Sequence, residues 1–426
     1  MRAIVLAAGE GKRMRPLTAN RPKVLLPAGP EPLLGRLLRQ LAEAGVHDIT
    51  VVTHYRAAAV EKFVGAVSAR SAAADAALTA SRKRSGSPSA FDDDGARWGA
   101  KATCVPQGAP RGTGHAVQAG APPDDAPFLF LNGDVWLPEG ALAAVVAAGP
   151  GSLAAAHVDE PSLYGVLELR DGRAVRVHEK SADPPSKLAN AGVYHAPAGF
   201  ARLLAGLKPS PRGELEVTDA LQASFDKTGG WRVVEVDDWL DVGRPWDLLA
   251  AAERALAEVP EVRRGTIEAG ATLKGKVVVA EGALVKAGAY VEGPVYIGAR
   301  SVVGPNCYLR PGTVLLEDTK VGNGCEIKAS LLMAGTHAAH LSYVGDSVLG
   351  ERVNLGAGTL VANLRHDGKT VRVTQEGQRV DTRRRKLGVI LGDDVHTGIN
   401  TSLNVGVMLP AGAATRPGEV VMESRV

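Results

Sequence analysis

The sequence predicts an α/β domain followed by a left-handed parallel β-helix of hexapeptide repeats. Short apolar runs alternate with helix-period segments over the first 245 residues, which is typical of an α/β sheet domain. Aliphatic residues then recur every six positions in the C-terminal part of the chain, which is typical of a β-helix. Glycine makes up 50 of 426 residues, roughly 12% against an average near 7%, and this excess indicates many tight turns.

Composition excludes several classes of protein. The 49 basic and 46 acidic residues leave a net charge of +3, so we expect no nucleic-acid partner and no membrane-surface partner. Cys104, Cys307 and Cys325 are far apart and lack CxxC spacing, so neither a disulfide framework nor a zinc site is predicted. Free cysteines fit a reducing, cytoplasmic location. No apolar run reaches the ~18 residues of a membrane span.

The α/β domain is predicted to cover residues 1–245. Leucines at helical spacing over 33–41, with Gly45 as a C-cap, place a helix between the first two strands. Residues 66–90 are rich in Ala and Ser and almost lack large apolar side chains, so we expect a flexible surface insertion there. A linker helix should occupy 246–262. The predicted strands are 3–6, 49–53, 103–106, 128–131, 153–157, 166–169 and 233–236.

Residues 263–426 are predicted to form the β-helix. Counting in sixes from Ile267 to Met333 meets an aliphatic residue or Met at all twelve positions, which disfavours a β-sandwich with chance spacing. A second frame runs from Leu349 to Val361, and a third begins at Leu391. The polar, Arg-rich stretch between 361 and 391 breaks the frame, so we expect it to be extruded on one face of the stack.

The turn after the first strand has the residues of a triphosphate site. It reads LAAGEGKRMRPLT over 6–18 and is followed by RPKVLLP over 21–27. Gly9 and Gly11 let backbone N–H groups approach a polyphosphate, and Arg13 and Lys23 supply positive charge. Neither the dinucleotide fingerprint nor the P-loop pattern is present.

This segment resembles the signature LAAGxGxRMxPLT…PKxLLP of the sugar-1-phosphate nucleotidyltransferases, and the resemblance extends to about Asp247. It implies a Rossmann-like nucleotidyltransferase domain in which Arg13 and Lys23 contact the triphosphate. It also implies nucleotide binding at Ala8, Gly9, Gly11, Gln107, Gly112 and Thr113 and sugar-phosphate contacts at Gly165, Glu179 and Asn190. Gln107 and the turn 112–115 look like the base-reading elements of uridylyl- and thymidylyl-transferring members, although the turn could simply be a tight turn.

Two carboxylates follow apolar runs in this domain. Asp134 ends a buried strand, where an α/β sheet places its ligand site, although a lone Asp there could cap a helix. Asp241 follows a second apolar run. Paired carboxylates together with phosphate oxygens hold Mg²⁺ in enzymes, and the family uses its matching pair in this way. We therefore expect Mg²⁺ at Asp134 and Asp241.

A polar cluster interrupts the repeats between 336 and 369. A structural solenoid has little use for two His, one Tyr and two Asn within one and a half coils. Acetylation of an amine needs a base near neutral pH, and His is the usual one. The stretch HLSYVGD at 340–346, with NLGAGT at 354–359, is therefore a candidate acetyl-transfer site.

This cluster resembles the acetyltransferase half of the bifunctional glucosamine-1-phosphate acetyltransferases/N-acetylglucosamine-1-phosphate uridylyltransferases, with the motif HLxYxGD…NxGAGT…N. The resemblance implies that His340 is the general base and that Ala357 and Gly398 meet acetyl-CoA. A hydrogen-bonded coil histidine and a solvated Lys328 are the simpler alternatives. The implied acceptor residues are Arg310, Lys328, Tyr343, Asn354, Asn363 and Lys369.

Some positions depart from the bacterial pattern. Leu364 stands where bacterial members carry a Tyr, and the extruded loop is longer than theirs. The segments RRRKLG at 383–388 and TGIN at 397–400 are similar to the archaeal branch. The family also implies a homotrimer.

The leading hypothesis is an enzyme with two sites: acetyl-CoA acetylates glucosamine 1-phosphate, and UTP then reacts with the product. A pyrophosphorylase for glucose or mannose 1-phosphate with a purely structural β-helix is the first alternative, and His340, Asn363 and Lys369 would then be superfluous. An inactive regulatory subunit is the second, which the intact Arg13, Lys23, Asp134 and Asp241 disfavour. The choice between UTP and dTTP and the use of galactosamine 1-phosphate stay open.

Overall fold

The computed structural model describes residues 1–80, 101–211 and 213–426. These residues divide into two compact units. Unit 1 comprises Met1–Glu10, Pro22–Leu25 and Leu33–Asp241, and unit 2 comprises Gly11–Arg21, Leu26–Pro32 and Val242–Val426. Two short N-terminal segments are thus counted with the C-terminal part of the chain.

The described strands of unit 1 form a nine-stranded sheet and a separate strand pair. The sheet order is β3-β2-β1-β4-β9-β6-β10-β8-β7, and β11 pairs with β5. The first four strands in this order run parallel, whereas β9 is antiparallel to β4 and β6. The strands are β1 Arg2–Ala7, β2 Asp48–Thr53, β3 Lys101–Pro106, β4 Phe128–Asn132, β5 Val135–Trp136, β6 Ser152–His157, β7 Gly165–Arg170, β8 Arg173–Glu179, β9 Leu188–Ala196, β10 Trp231–Glu235 and β11 Leu240–Asp241.

Helices cover both faces of this sheet. The apolar stripe of α1 is fully buried with Val5 and Val51, while Phe130 and Trp231 belong to the second core cluster. Gly45, at φ 78°, ends α1 as predicted because glycine adopts this left-handed conformation without strain. The helices are α1 Leu33–Glu43, α2 Ala57–Ala80, α3 Thr113–Gly120, α4 Ala141–Ala148, α5 Phe200–Ala205 and α6 Val217–Thr228, and α7 Asp247–Glu258 follows in unit 2.

All seven predicted strands are present, and the sequence analysis missed four others. The long strand β9 has the sequence LANAGVYHA and is buried along most of its length, so it lacks the alternation of a half-exposed strand. Strand β8 contains several charged residues and therefore lacks an apolar run, and β5 and β11 are only two residues long.

The predicted insertion at 66–90 lies partly on helix α2. Residues 66–80 form the end of this helix, in agreement with the high helix propensity of alanine. Residues 81–90 lie outside the described residues, so the insertion stays a prediction.

The described strands of the C-terminal part form three parallel sheets, as expected for a β-helix. Strands of successive coils pair in register and bury one aliphatic row per sheet. The first sheet contains Thr266–Ile267, Leu284–Val285, Val302–Val303, Lys320–Asn323, His337–His340 and Asn354–Leu355. The second contains Thr272–Lys274, Tyr290–Glu292, Tyr308–Leu309, Glu326–Lys328, Tyr343–Gly345, Leu360–Val361, Ser402–Leu403 and Val420–Val421. The third contains Val277–Val279, Val295–Ile297, Thr313–Leu315, Leu331–Leu332, Val348–Leu349, Ile390–Leu391 and Met408–Leu409.

The hexapeptide count is wrong at its last position. Val303 pairs with Val321, so a coil takes 18 residues there, but Val321 pairs with Ala338, one residue early. Leu332 therefore continues the inner row, and Met333 is buried next to it. The next coil is also 17 residues long, because Leu332 pairs with Leu349, and the two shorter coils together explain why the later frames are out of phase with the first.

The predicted extruded segment contains a β-hairpin. Arg372–Gln375 pairs antiparallel with Gln378–Asp381, and we call this element the loop hairpin. The coil continues across it, because Leu349 pairs directly with Leu391. Within the described ranges, the helices are too short or too polar to cross a bilayer.

Candidate active sites

A cleft of about 520 Å³ opens in unit 1 at the carboxyl ends of β1 to β4. This edge of a parallel sheet is where α/β folds bind ligands. The structure thus brings together most of the predicted nucleotide and phosphate residues of this unit. Those lining the cleft are Ala8, Gly9, Lys23, Gln107, Gly112, Thr113 and Asp134. Residues that the sequence analysis did not predict also line it, among them Glu10, His54, Tyr55, Asn132 and Glu214.

Lys23 and Asp134 form an ion pair inside the cleft. The Nζ of Lys23 lies 2.6 Å from Oδ2 of Asp134, and Lys23 is only 8% exposed. Gly133 makes this placement possible: its N–H donates to the carbonyl of Leu6 at 2.9 Å, and a Cβ there would lie 2.5 Å from that oxygen. The turn after β4 is therefore held close to β1.

Asp241 lies on strand β11, which pairs with the strand that begins directly after Asp134. Its backbone is in register with Val135, the residue that follows Asp134. Magnesium is usually held by one or two protein carboxylates together with phosphate oxygens and water. A carboxylate on β11 and one in the turn before its partner strand, of which Asp134 already forms an ion pair with Lys23, are a donor set that fits such an ion.

The Gln107 side chain is buried, and two neighbouring residues fix the orientation of its amide group. Its Nε2 donates to the carbonyl of Gly112 at 3.0 Å and lies 3.4 Å from Nδ1 of His115. Burial, together with the charge of Arg111, lowers the pKa of His115, which favours the neutral ring that can accept. No described residue donates to Oε1 of Gln107. The amide therefore keeps its oxygen available as an acceptor.

The glycine turn before α3 is held against a second chain segment. Gly112 has φ 105°, and a Cβ there would lie 2.6 Å from the carbonyl oxygen of Leu215. The N–H of Gly114 donates to this carbonyl at 2.7 Å, and Oγ1 of Thr113 accepts from Val217 N–H at 3.1 Å. The turn is thus part of the cleft wall as well as a tight turn.

The predicted sugar-phosphate residues form a group that does not line the cleft itself. Gly165 pairs with Glu179, and a Cβ at Gly165 would lie 2.9 Å from Glu179 Oε1. Asn190 donates to the hydroxyl of Tyr194 at 2.7 Å, and burial raises the pKa of this tyrosine.

Asn190 connects this group to the cleft through the next turn. Its Oδ1 accepts from Gly192 N–H at 3.2 Å. A Cβ at Gly192 would lie 2.5 Å from Asn132 Nδ2, and Asn132 lines the cleft. The group therefore adjoins the cleft at Asn132.

Gly11 and Arg13 belong to unit 2 and are absent from the residues lining the cleft. Gly11 has φ 64°, and its carbonyl accepts from Thr18 Oγ1 at 2.8 Å. The carbonyl of Arg13 accepts from Gln375 Nε2 at 2.5 Å. The structure therefore places Arg13 against the loop hairpin and Gly11 in the same short segment of unit 2.

Arg21 anchors the same segment within unit 2. Its guanidinium lies 2.6 Å from Glu351 and 2.8 Å from Asp393. The Asp393 side chain is 3% exposed, so this is a nearly buried ion pair.

In the β-helix, Lys328 and Asn363 converge on one residue that the sequence analysis did not single out. Asp346, 5% exposed, accepts from Lys328 Nζ at 2.8 Å and from Asn363 Nδ2 at 2.6 Å. Asn363 Nδ2 also lies 3.2 Å from the hydroxyl of Tyr343. We call these four residues the Asp346 cluster. Lys328 is therefore anchored and is not the solvated side chain of the simpler alternative.

Gly345 provides the space for this cluster. A Cβ there would lie 2.5 Å from Asn363 Nδ2 and 2.6 Å from the Tyr343 hydroxyl. The sequence signal for both missed residues was the Gly-Asp pair at the end of HLSYVGD, where a buried carboxylate needs partners.

The other predicted acceptor residues are not hydrogen-bonded to the cluster, although Arg310 lies one coil from Lys328 in the same sheet. Arg310 is paired with Glu326 at 2.8 Å, and this hydrogen bond raises the pKa of Arg310. Asn354 and Lys369 are exposed. Asn354 lies in the first sheet, in register with His337.

His340 ends a strand of the first sheet and is exposed. No described side chain is hydrogen-bonded to its imidazole, so the structure does not show the hydrogen-bonded coil histidine of the simpler alternative. Its carbonyl accepts from Gly358 N–H of the next coil at 3.4 Å. The following coil continues the stack, because Ala357 accepts from Asn400 N–H at 2.7 Å. His340 and Ala357, with the 398–400 turn that contains Gly398, therefore share one corner of the β-helix.

Comparison with known proteins supports both predicted resemblances. The nucleotidyl transferase family model matches residues 2–258, and a model of the GMPPB C-terminal domain matches residues 291–417. The chain is 37% identical to the bifunctional sugar-1-phosphate nucleotidylyltransferase/acetyltransferase of Sulfurisphaera tokodaii, over 99% of this chain and 97% of the relative. It is 39% identical to bifunctional protein GlmU of Methanocaldococcus jannaschii, over 96% and 91%. It is 33% identical to the low-salt glycan biosynthesis nucleotidyltransferase Agl11 of Haloferax volcanii, over 84% and 94%.

Proposed function

Because the chain belongs to the nucleotidyl transferase family, within a group of bifunctional nucleotidylyltransferase/acetyltransferases, we propose that it makes UDP-N-acetylglucosamine in two reactions. The β-helix transfers an acetyl group from acetyl-CoA to the amine of glucosamine 1-phosphate. The α/β unit then joins the acetylated sugar phosphate to the uridylyl group of UTP and releases pyrophosphate.

Uridylyl transfer requires alignment and charge neutralisation rather than a protein nucleophile. A phosphate oxygen of the sugar attacks the α-phosphorus of UTP, and the bond to the pyrophosphate oxygen breaks. Lys23 and Arg13 would balance the negative charge of the triphosphate, and the backbone at Ala8, Gly9 and Gly11 would approach the nucleotide. Gly165, Glu179 and Asn190 would hold the sugar phosphate.

Asp134 and Asp241 would hold the Mg²⁺ that neutralises phosphate charge in this reaction. In the absence of the ion, Lys23 provides the positive charge beside Asp134. The same lysine can turn to the triphosphate when substrate and metal bind, because its side chain ends inside the cleft.

Acetyl transfer requires a deprotonated amine. His340 would take the ammonium proton, the amine nitrogen would attack the acetyl carbonyl, and the carbon–sulfur bond would break to release coenzyme A. Lys328, Tyr343 and Asn363, with Arg310, Asn354 and Lys369, would hold the acceptor phosphate and sugar. Ala357 and Gly398 would meet acetyl-CoA at the corner that carries His340.

The observation that carries the two-site proposal is the Asp346 cluster. A β-helix that served only as a scaffold could use apolar packing at this position, since replacing a buried ion pair by well-packed apolar residues is often neutral or stabilising. A buried carboxylate that holds a lysine and an asparagine beside a glycine niche is better explained by a ligand site. The match to the GMPPB C-terminal domain is compatible with a structural β-helix in a single-activity pyrophosphorylase, but that alternative leaves this cluster unexplained.

The domain boundaries 1–245, 246–262 and 263–426, the left-handed sense of the β-helix and a homotrimer are part of the same proposal. Exposed apolar side chains on the outer face of the second sheet support association: Leu360 is 52% and Val420 is 62% exposed. The three free cysteines fit a cytoplasmic enzyme.

The test is a reaction of the purified protein with glucosamine 1-phosphate, acetyl-CoA, UTP and Mg²⁺, with the product identified by mass spectrometry. We expect UDP-N-acetylglucosamine and free coenzyme A. Parallel reactions with dTTP and with galactosamine 1-phosphate determine the nucleotide and acceptor range. Nucleotide-sugar formation from supplied sugar phosphates without any release of coenzyme A would favour the single-activity pyrophosphorylase.

A further inference from the structure

A second cavity, of about 570 Å³, lies within unit 2, between the loop hairpin and the last coils of the β-helix. Its walls include Arg365, Arg372 and Arg379, and we call it the arginine cavity. None of the residues assigned to the two proposed active sites lines it. Its volume is within the usual range for small-molecule sites.

The walls of the arginine cavity are fixed by close packing. Gly406, at φ 70°, lies under the base of the hairpin, and a Cβ there would lie 2.8 Å from Val371 and 3.0 Å from Val373. On the other side, Ser424 Oγ accepts from Met408 N–H at 2.9 Å. The cavity is therefore part of the fold and not a gap between loose loops.

The described walls of the arginine cavity carry more positive than negative charge, with three arginines and one glutamate. Arg365 is paired with Asp367 through two hydrogen bonds of 2.8 and 2.6 Å. Arg379 is bonded only to the hydroxyl of Thr374, at 3.3 Å, and the Arg372 side chain is bonded to no residue in the described part of the chain. Glu423 supplies the only carboxylate on the described walls.

Arg372 and Arg379 lie on the same face of the hairpin. Arg372 pairs with Asp381 and Thr374 with Arg379, so the two arginines are diagonal neighbours on opposite strands. Asp381 attracts Arg372 electrostatically, but both of its oxygens already accept hydrogen bonds, from Thr370 and from the N–H of Arg383. The guanidinium group of Arg372 therefore keeps all its donors and that of Arg379 all but one, and two such groups side by side match two linked phosphate groups.

We propose that the arginine cavity binds a ligand that carries a diphosphate group, through the guanidinium groups of Arg372 and Arg379. The volume exceeds what a single phosphate fills, and Val405 and Met422 offer an apolar wall for an uncharged part such as a nucleoside. The nucleotide-sugar product and free nucleotides both contain this chemistry. The proposal is independent of the two proposed activities.

Calorimetric titration of the full-length protein with inorganic pyrophosphate tests the proposal. The background is Lys23→Ala in the presence of EDTA, so that the cleft of unit 1 does not bind the probe. We expect pyrophosphate binding in this background and at least a tenfold rise in its Kd after Arg372→Ser with Arg379→Ser. The double change to Lys keeps the charge but loses the forks, and should give an intermediate Kd. Arg300→Ser with Arg416→Ser removes equal charge elsewhere in unit 2 and should leave the Kd unchanged.

Competition experiments separate the sources of the ligand. UDP-N-acetylglucosamine or UDP should displace pyrophosphate from the arginine cavity. Equal pyrophosphate affinity in the double serine variant, or no binding in the Lys23→Ala background, would overturn the proposal. Displacement by coenzyme A, together with a higher KM for acetyl-CoA in the double serine variant, would assign the cavity to the acetyl-donor site and would overturn it as a separate site.

Discussion

The ammonium group of Lys23 lies 2.6 Å from the carboxylate of Asp134 at the carboxyl edge of the sheet. Two groups expected to bind opposite charges, a triphosphate and a metal ion, thus neutralise each other before either ligand arrives. A substitution of either residue therefore changes two things at once: it alters the binding of its own ligand, and it removes the opposite charge from the other residue.

Asp134→Asn should lower the rate of pyrophosphate release at least a hundredfold, because the amide supplies no charge for the metal ion. A coupled pyrophosphate assay measures this loss. Acetyl transfer, measured as coenzyme A release from glucosamine 1-phosphate, should survive. Equal loss of both activities would indicate misfolding, and normal turnover of UTP would refute the metal assignment.

His340→Ala should lower coenzyme A release by about 10²- to 10⁴-fold, the usual contribution of a general base. Conversion of supplied N-acetylglucosamine 1-phosphate and UTP should continue at the normal rate. His337→Ala is the matched control, since His337 is an exposed histidine of the same strand. A thiol reagent, corrected for the three cysteines, follows the reaction. Unchanged release in His340→Ala would rule out this residue as the base.

Asp346→Asn should raise the KM for glucosamine 1-phosphate and lower stability by about 3 kcal/mol, because it leaves the largely buried Lys328 without its counter-charge. Uridylyl transfer should keep its KM for UTP. The double variant Asp346→Asn with Lys328→Met removes both charges and should recover most of the stability in thermal unfolding. A double variant no more stable than the single one would show that the ion pair is not the source of the loss.

His115→Leu should reduce the preference for UTP over CTP about fivefold to tenfold in kcat/KM. We expect Oε1 of Gln107 to accept from the N3–H of uracil. Without an acceptor at Nδ1 of residue 115, the Gln107 amide loses one of the two bonds that orient it, and a neutral hydrogen bond contributes about 1 kcal/mol. His115→Asn places Oδ1 where Nδ1 lies and should retain the preference. His47→Leu, at an exposed turn before β2, is the control. An unchanged ratio in His115→Leu would show that Gly112 alone orients the amide.

The sequence predicted those parts of the molecule that repeat or that follow a strong local pattern. The leucine stripe of α1 and the aliphatic rows of the β-helix have one periodicity each, and the structure has both. The single-residue shortening at Leu332 escaped detection, because Met333 is also apolar and fits the six-residue count. The buried strand β9 escaped for the opposite reason, since small residues on both faces give no period.

Site residues were predictable where a single short motif contains them, as is the case for Lys23 and for Asp134. The Gly-Asp pair at 345–346 was a signal in the sequence, but the partners of Asp346 were not predictable, because Lys328 and Asn363 are 18 and 17 residues away along the chain. Those distances correspond to one coil of the stack. Only the coil length, which the pairing of the strands reveals, brings the three side chains together.

The ion pairs of Arg21 determine how this chain can be divided. A fragment of residues 242–426 would contain every strand of the described β-helix but would lack Arg21, and the nearly buried carboxylate of Asp393 would lose its cation. Loss of one partner of such a pair costs about 3–5 kcal/mol. A fragment meant to keep this ion pair therefore has to include residues 11–21 together with residues 242–426.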